Sequence, residues 1–367
     1  MRLVPPGVTY LFSRARSADV AYPRTVAVRA VRLYQRDRWR WSVRRRRRSV
    51  DDIPIDRPIF VLGLEGGGTT LVTRCLLRHP AVVSMGGNSS FWVATDELGF
   101  VRNRMARLPR TLWSAQGRTD MDGSQFGSNH DSAYASHDLF PHYRNTADDA
   151  TPEDAAVFKR VIREHIDVYA RDPQNARFVD KTHTYSLKVP YLEALLDGCD
   201  PYFVLVVRNP YTTCFRAVRR KPPQWIRAPA YEEQLRIAAQ HWRASYCTAL
   251  EDGARSPRFG AVRFEDFVRD PAAVVEAICA FTGLAYDPDL VPDPAHQRPF
   301  GTLPSDTKWY PLLDDPWRAR VPDADAALID AECGALARAL GYGRDVDFEP
   351  QVQMLAPARN AEAAPAG

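Results

Sequence analysis

The chain has 367 residues, of which 45% are hydrophobic, 26% charged and 11% aromatic, with a formal net charge of +4 at pH 7. This balance is that of an ordinary globular protein, and it excludes disordered, collagen-like and disulfide-scaffold classes. No apolar run approaches the roughly 18 residues of a membrane-spanning helix, and no continuous apolar segment follows Met1 and Arg2, so we expect neither a span nor a signal peptide. A cytoplasmic location is the resulting expectation.

The positive charge is concentrated at the N-terminus. Residues 1–50 contain 14 arginines against two aspartates, a formal charge of +12, which leaves −8 for the remainder of the chain. The stretch 32–50 mixes arginine with leucine, tyrosine and two tryptophans, as interfacial helices at anionic lipid surfaces do. A solvated basic tail is an equally favoured interpretation, because charge runs are weak signals. Nucleic-acid binding is favoured least, since the remainder is acidic and has no recognisable DNA- or RNA-binding pattern.

The first predicted unit is a strand, a glycine loop and a helix. Residues 58–64 form a short apolar run suited to a strand buried on both faces. Glycines follow it, and then a helical pattern that Pro80 ends. Residues 99–150 are polar and rich in glycine and histidine, and they read as an insertion over a site.

Strands and helices alternate through the second half of the chain. The predicted helices are 153–171, 187–196, 211–220, 231–250 and 271–284, and the predicted strands are 177–181, 202–208 and 259–264. Such alternation favours a three-layer α/β/α domain with a central parallel sheet, whose ligands bind at the carboxyl ends of the strands. We therefore divide the chain into a basic arm (1–50), an α/β domain (51–345) and a disordered tail (346–367), the last because it is rich in alanine and proline.

The six cysteines show no C-x-x-C spacing and mostly have apolar neighbours. This pattern predicts buried thiols and supports neither a zinc site nor a disulfide framework. No metal is expected.

The glycine loop has the spacing of a phosphate-binding loop, with four residues between Gly63 and the last glycine of the loop. A threonine stands where a nucleoside triphosphatase has the lysine that reaches the β and γ phosphates, so ATP hydrolysis is not expected. Backbone N–H groups at a helix N-terminus still bind anions. We favour an anion site over a simple flexible turn. Its candidate residues are Gly66, Gly67, Gly68, Thr69 and Thr70.

Arg208 directly follows the second buried apolar run and precedes Asn209 and Pro210. The end of a parallel strand is where ligands bind in such folds. Arg208 is therefore a candidate for a bidentate contact to a phosphate, and the alternative is a salt bridge to an acidic neighbour at the sheet edge.

Four segments resemble, in order, motifs of the sulfotransferases that use 3′-phosphoadenosine 5′-phosphosulfate (PAPS), and the likeness is to the bacterial carbohydrate and tyrosylprotein-like branch. They are VLGLEGGGTTLVTRCLLRHP (the 5′-phosphosulfate loop), FVDKTHTYSLKVPYLEALL (the Lys-Thr-Pro segment), VLVVRNPYTTCFR (the 3′-phosphate motif) and VRFEDFVRDPAAVVEAICAFTGL, with KWYPLL as a weaker fifth match. The resemblance implies a P-loop-like sulfotransferase fold. It also implies transfer of a sulfuryl group from PAPS, without metal, to a hydroxyl or amine of a carbohydrate, glycolipid or small molecule.

The chain departs from that family at the cation of the loop. The family usually has lysine or arginine where this loop has Gly66, and that residue is taken to stabilise charge on the bridging oxygen as the sulfuryl group leaves. Lys181, which matches the lysine of the Lys-Thr-Pro segment, and Lys308 are the candidate replacements, because a fixed cation stabilises developing charge.

The candidate general base also differs. The family places a catalytic glutamate before an aromatic pair, whereas Asn88 occupies that position here, and an amide cannot take a proton. The candidate replacements are Asp180, His183, His130 and Asp131.

The family serine that follows the motif arginine by eight residues is Arg216 here, which binds the 3′-phosphate or crowds it. These departures leave two alternatives to a sulfotransferase. One is a donor-binding relative that has lost catalysis, and the other is a kinase-like enzyme that binds ATP with Mg²⁺. If the arm binds lipid, the protein would be peripheral at the inner face of the membrane.

Overall fold

The computed structural model describes residues 49–84, 97–98, 108–115, 133–220, 230–291 and 321–343. Apart from Ser49 and Val50, the predicted basic arm lies outside these ranges, as does the predicted tail, so the predicted division into arm, domain and tail stays a prediction. None of the helices in the described ranges is both long enough and apolar enough to cross a membrane.

Five parallel strands form the sheet of the described residues, in the order β2-β3-β1-β4-β5. The strands are β1 Ile59–Leu62, β2 Val82–Val83, β3 Arg177–Asp180, β4 Tyr202–Val207 and β5 Phe259–Arg263. Ile59 of β1 pairs with Val179 of β3 on one side and with Tyr202 of β4 on the other. The chain thus builds outward in both directions from β1, and the crevice at the carboxyl end of β1 is the switch point at which such sheets bind ligands.

Nine α-helices are described, and most of them connect or cover strands. They are α1 Thr69–Leu76, α2 Phe140–Tyr143, α3 Pro152–Tyr169, α4 Val189–Leu195, α5 Pro210–Arg220, α6 Tyr231–Gly253, α7 Phe264–Arg269, α8 Pro271–Thr282 and α9 Asp323–Ala339. Several boundaries follow from local chemistry. Thr151 accepts a hydrogen bond from the Asp154 N–H at the start of α3, and Asp270 caps α8 through the Ala273 N–H. Gly283 ends α8 in the left-handed conformation that glycine adopts readily.

Alternate side chains of the strands face two separate hydrophobic layers. Phe60 and Leu62 pack with Trp242 of α6 on one face, whereas Ile59 and Val61 pack on the other face against α1 and α8. Apolar residues on both faces explain why the strands read as continuous apolar runs. The predicted three-layer fold with a parallel central sheet is therefore confirmed.

Three local expectations are refined by the structure. α4 lies within the predicted helix over 187–196, and a 3₁₀ turn at His183–Leu187 precedes it. The polar insertion contains short ordered pieces, among them α2 and a 3₁₀ turn at Arg110–Leu112. Four of the six cysteines are buried as predicted, but Cys199 and Cys247 are partly exposed.

Candidate active site

The glycine loop joins β1 to α1 and is shaped by backbone conformations that only glycine adopts readily. Gly63, Gly66 and Gly68 have φ of 143°, 77° and 95°. The Gly67 N–H donates to the Leu64 carbonyl oxygen at 2.9 Å, and Gly68 is the N-cap of α1. The loop therefore turns tightly into a helix N-terminus, where backbone N–H groups and the helix dipole favour an anion.

The space around the loop differs from one glycine to the next. Among the described residues, a Cβ atom on Gly66 would meet no atom within 4 Å, whereas a Cβ on Gly68 would lie 1.9 Å from the ring of Phe264. Gly66, on this open side of the loop, stands where the resembled family usually has a lysine or arginine. The open space beside Gly66 and the helix N-terminus suit an anion.

Arg208 lies at the end of β4, next to the loop. Its Nη1 donates to the Gly66 carbonyl oxygen at 2.7 Å, and its Cζ lies 4.3 Å from the centre of the Phe264 ring. The indole of Trp242 donates to the Arg208 carbonyl oxygen at 2.9 Å. The side chain is only 5% exposed. These contacts hold the guanidinium against the loop, so the predicted phosphate ligand is positioned at the predicted anion site.

A buried glutamate, Glu97, contacts the residues that follow β3 in the chain. Glu97 Oε1 is 3.3 Å from Lys181 Nζ and 3.1 Å from His183 Nδ1. Relative exposures are 5% for Glu97, 4% for Lys181 and 6% for His183. The carboxylate thus joins two of the predicted catalytic residues in one ion-pair cluster that is almost completely excluded from water.

His183 connects this cluster to the glycine loop. Its Nε2 lies 3.4 Å from Oγ1 of Thr69, the first residue of α1. The Tyr134 hydroxyl donates to the His183 carbonyl oxygen at 2.9 Å. Tyr134 comes from the predicted insertion, so part of that segment does support the predicted site.

Asp180 ends β3 and is hydrogen-bonded through both carboxylate oxygens. Oδ1 accepts from the Leu98 N–H at 2.9 Å, while Oδ2 accepts from the N–H and the hydroxyl of Thr182. Burial raises the pKa of Asp180 to about 6, although the Thr182 and Leu98 hydrogen bonds act in the opposite direction. These contacts hold the backbone beside Glu97 in place.

A second, partly buried carboxylate, Glu265, supports the turn that follows β4. Glu265 Oε1 accepts from the Asn209 N–H at 3.0 Å, and Oε2 accepts from the Tyr342 hydroxyl at 2.8 Å. Burial is the main cause that raises the pKa of Glu265, and the charge of Arg208 opposes this. The carboxylate thereby fixes the turn that carries Arg208.

Of the other predicted site residues, one lies in a described helix and four lie outside the described residues. Arg216 lies in α5, the helix that follows Arg208, and is partly buried. Asn88, His130, Asp131 and Lys308 lie outside the described residues. Within the ranges that the structure does describe, no group of three or more His, Cys, Asp and Glu side chains is placed to hold a metal ion.

Two residues of the site were not among the residues predicted from the sequence. Glu97 lies 84 residues before Lys181 in a segment without periodicity, and Phe264 reads only as the end of a strand. Both become site residues through the tertiary fold. The RFED match to the fourth family motif was the one available sign that Phe264 lies near the site.

The profile of the Sulfotransferase family matches residues 58–288, which is more than half of the chain and includes the loop, Lys181, His183 and Arg208. No curated protein matches the chain significantly.

Several solved structures are similar in fold. The sulfotransferase domain from the curacin biosynthetic pathway is 19% identical, with a TM-score of 0.46 over 79% of this chain and 99% of that domain. Sulfotransferase STF9 from Mycobacterium avium is 15% identical, with a TM-score of 0.48 over 94% of this chain and 92% of that one. Mouse sulfotransferase SULT7A1, solved in complex with PAP, is 13% identical, with a TM-score of 0.41 over 80% and 91%. On the strength of the profile match, this chain belongs to the sulfotransferase family.

Proposed function

We propose that the protein transfers a sulfuryl group from PAPS to a hydroxyl or amine of a carbohydrate, glycolipid or small-molecule acceptor. The observation that carries the proposal is the convergence of three elements at the carboxyl end of β1. The glycine loop, Arg208 and the His183–Glu97–Lys181 cluster are linked there by contacts to Gly66 and Thr69.

The donor would be held at both of its anionic ends. The backbone of Gly66, Gly67 and Gly68 with Thr69 and Thr70 would bind the 5′-phosphosulfate, because N–H groups at a helix N-terminus stabilise anions. Arg208, assisted by Arg216, would bind the 3′-phosphate, since a guanidinium donates two parallel hydrogen bonds to a phosphate. The stacking of Arg208 on Phe264 supports this role because it fixes the guanidinium plane before the donor arrives.

The reaction needs one proton acceptor and one cation. The acceptor oxygen forms a bond to sulfur, the bond from sulfur to the bridging oxygen breaks, and the electron pair leaves with 3′-phosphoadenosine 5′-phosphate (PAP). His183 Nε2 would take the hydroxyl proton. Lys181 would stabilise the charge that develops on the leaving oxygen, in place of the cation that Gly66 lacks.

Two alternatives remain as outcomes of the test. A donor-binding protein without catalysis is favoured by the absence of a side chain at Gly66. A kinase-like enzyme would need the loop lysine, and Thr69 stands there.

Calorimetric titration of the purified full chain with PAP tests the donor site without an acceptor, with ATP plus Mg²⁺ as the comparison ligand. We expect PAP to bind with a Kd in the micromolar range. Arg208→Ala should weaken binding by at least about tenfold, because a hydrogen bond to a charged group contributes about 1.5–3 kcal/mol.

Arg236→Ala is the matched control. Arg236 is an exposed α6 arginine that pairs with Glu233 on the same helix, and its removal should leave PAP affinity unchanged. Absence of PAP binding, or binding of ATP with Mg²⁺ instead of PAP, would contradict the proposal. Binding of PAP without product from PAPS across a panel of sugars, glycolipids and phenols would identify the non-catalytic alternative.

A further inference from the structure

We infer that Arg208 is a positioning residue for the glycine loop as well as a ligand of the donor, and that it couples the 5′ and 3′ ends of the donor site. The inference rests on the proposed function and deepens it, because it gives the arginine a second role. It begins from the hydrogen bond that Arg208 Nη1 donates to the Gly66 carbonyl oxygen at 2.7 Å. Such a short distance is typical of a charged donor.

The peptide group between Gly66 and Gly67 is held on both sides. Its carbonyl oxygen accepts from Arg208, and its N–H donates to the Leu64 carbonyl oxygen at 2.9 Å. Glycine loses more conformational freedom on folding than any other residue. The consecutive glycines of this loop therefore need contacts from outside to keep one shape. Arg208 supplies such a contact from the end of β4, the strand that pairs with β1.

Phe264 connects the same arginine to a second residue of the loop. Arg208 Cζ lies 4.3 Å from the centre of the Phe264 ring. The ring in turn approaches Gly68 so closely that a Cβ on this glycine would lie 1.9 Å from it. Phe264 is only 3% exposed, so the packing around it leaves the ring little room to move. The arginine and the ring thus support the loop at Gly66 and at Gly68, on either side of Gly67.

The position of Arg208 is fixed by residues outside the loop. The Trp242 indole donates to the Arg208 carbonyl oxygen at 2.9 Å, and the N–H of Asn209 donates to Glu265 Oε1 at 3.0 Å. A guanidinium carries several N–H donors in a rigid fork, so one side chain is able to hold a carbonyl group and to bind a phosphate. An anion at either end of the donor site should therefore favour the geometry that the other end needs, and this coupling is reciprocal.

The two roles of Arg208 predict different behaviour toward a ligand that lacks the 3′-phosphate. Adenosine 5′-phosphosulfate carries the phosphosulfate but no 3′-phosphate. Its affinity would not depend on an arginine that only binds the 3′-phosphate, whereas it would depend on an arginine that also holds the loop. The apparent affinity falls in proportion to the fraction of time that the loop is competent to bind.

The test compares the full-length wild type with Arg208→Ala in two measurements. Hydrogen exchange without ligand, followed by mass spectrometry of peptides that cover residues 63–70, reports how firmly the loop is held. Calorimetry gives the affinity for adenosine 5′-phosphosulfate. We expect loop exchange to be at least about tenfold faster in the variant, because a hydrogen bond from a charged group is lost. The affinity should fall at least about threefold, as for a loop that is competent about a third of the time.

Arg236→Ala is the matched control, because it removes an exposed arginine that pairs with Glu233 in α6, and it should change neither measurement. Arg208→Lys separates charge from geometry, since lysine keeps the charge but has no planar fork to stack on Phe264. We expect it to recover neither value fully. Full recovery would overturn the inference, because charge alone would then suffice. If Arg208→Ala does not fold, the wild type still decides, since unprotected loop amides in the wild type also overturn it.

The two proposals fail separately. Faster loop exchange in Arg208→Ala, together with a wild type that binds neither PAP nor adenosine 5′-phosphosulfate, would contradict the proposed function while supporting the role of Arg208 toward the loop. Suppose instead that Arg208→Ala weakens PAP binding but leaves loop exchange and the affinity for adenosine 5′-phosphosulfate unchanged. That result would keep the donor site and restrict Arg208 to the 3′-phosphate, which overturns the inference.

Discussion

Replacement of Gly68 by alanine tests how closely the glycine loop approaches the residue that supports Arg208. Gly68 has φ of 95°, and its Cβ would lie 1.9 Å from Cδ2 and 2.3 Å from Cε2 of Phe264. A left-handed backbone costs a residue with a Cβ about 1–2 kcal/mol. Forcing an extra methyl group into a packed site costs about 1–3 kcal/mol more. The expected loss in the free energy of unfolding is therefore about 2–5 kcal/mol.

Gly66→Ala is the matched comparison within the same loop. Gly66 also has a positive φ of 77°, but its Cβ would meet no atom within 4 Å in the part of the chain that the structure describes. Only the backbone cost applies, and the expected loss is about 1–2 kcal/mol. Urea unfolding of the two variants and the wild type measures the difference directly.

The same pair should differ in PAP affinity. A displaced Phe264 ring would move the guanidinium of Arg208, which lies 4.3 Å from the ring centre. Gly68→Ala should therefore bind PAP more weakly than Gly66→Ala. In the double variant Gly68→Ala/Phe264→Leu, the smaller side chain should recover part of the stability but not the affinity, because the stacking partner is gone. Equal losses of stability in the two single variants would refute the reasoning, since no close approach of Phe264 would then exist.

Two further changes probe the framework of the site. The pKa of Asp180 is raised from 3.8 to about 6, so the folded protein holds this proton more tightly than the unfolded chain does. The protonated carboxyl group therefore stabilises the fold fully below about pH 4, and this stabilisation is lost as the pH rises through 6. The expected change in the free energy of unfolding is about 3 kcal/mol, at 1.36 kcal/mol per pKa unit. Urea unfolding of Asp180→Asn from pH 4 to 7 should lack this decrease relative to the wild type, and parallel pH profiles would contradict the assignment. Ser186→Ala should lower the free energy of unfolding by about 1–3 kcal/mol. In the wild type the buried Gly63 N–H donates to the serine hydroxyl oxygen at 3.0 Å, and the variant removes that acceptor. The exposed Ser49→Ala should change stability by less than about 0.5 kcal/mol, and a similar small effect at Ser186 would show that the contact is unimportant.

The sequence by itself determined the elements whose signal is local. Strands β1 and β4 are apolar runs buried on both faces, so their composition alone marks them, and the glycines between β1 and α1 mark a turn that requires positive φ. Alternation of strands and helices indicated the parallel three-layer fold. It also placed Gly66 and Arg208 at strand ends, where such folds bind ligands. The 3₁₀ turn at His183–Leu187 was not predictable, because a 3₁₀ helix of five residues has no distinct periodicity.

The contacts that give the site its chemistry were decided only by the tertiary structure. Glu97 lies in a polar segment with no periodic pattern, and it meets His183 because the Leu98 backbone binds to the end of β3. Phe264 is the first residue of α7, which directly follows β5. It contacts Gly68 because β5 pairs with β4 and so brings the start of α7 next to the glycine loop. Each of these pairs is separated by many residues in the chain. The types of two residues that are so far apart in the chain do not predict that they are in contact, because their proximity depends on the strand order and the packing of the layers.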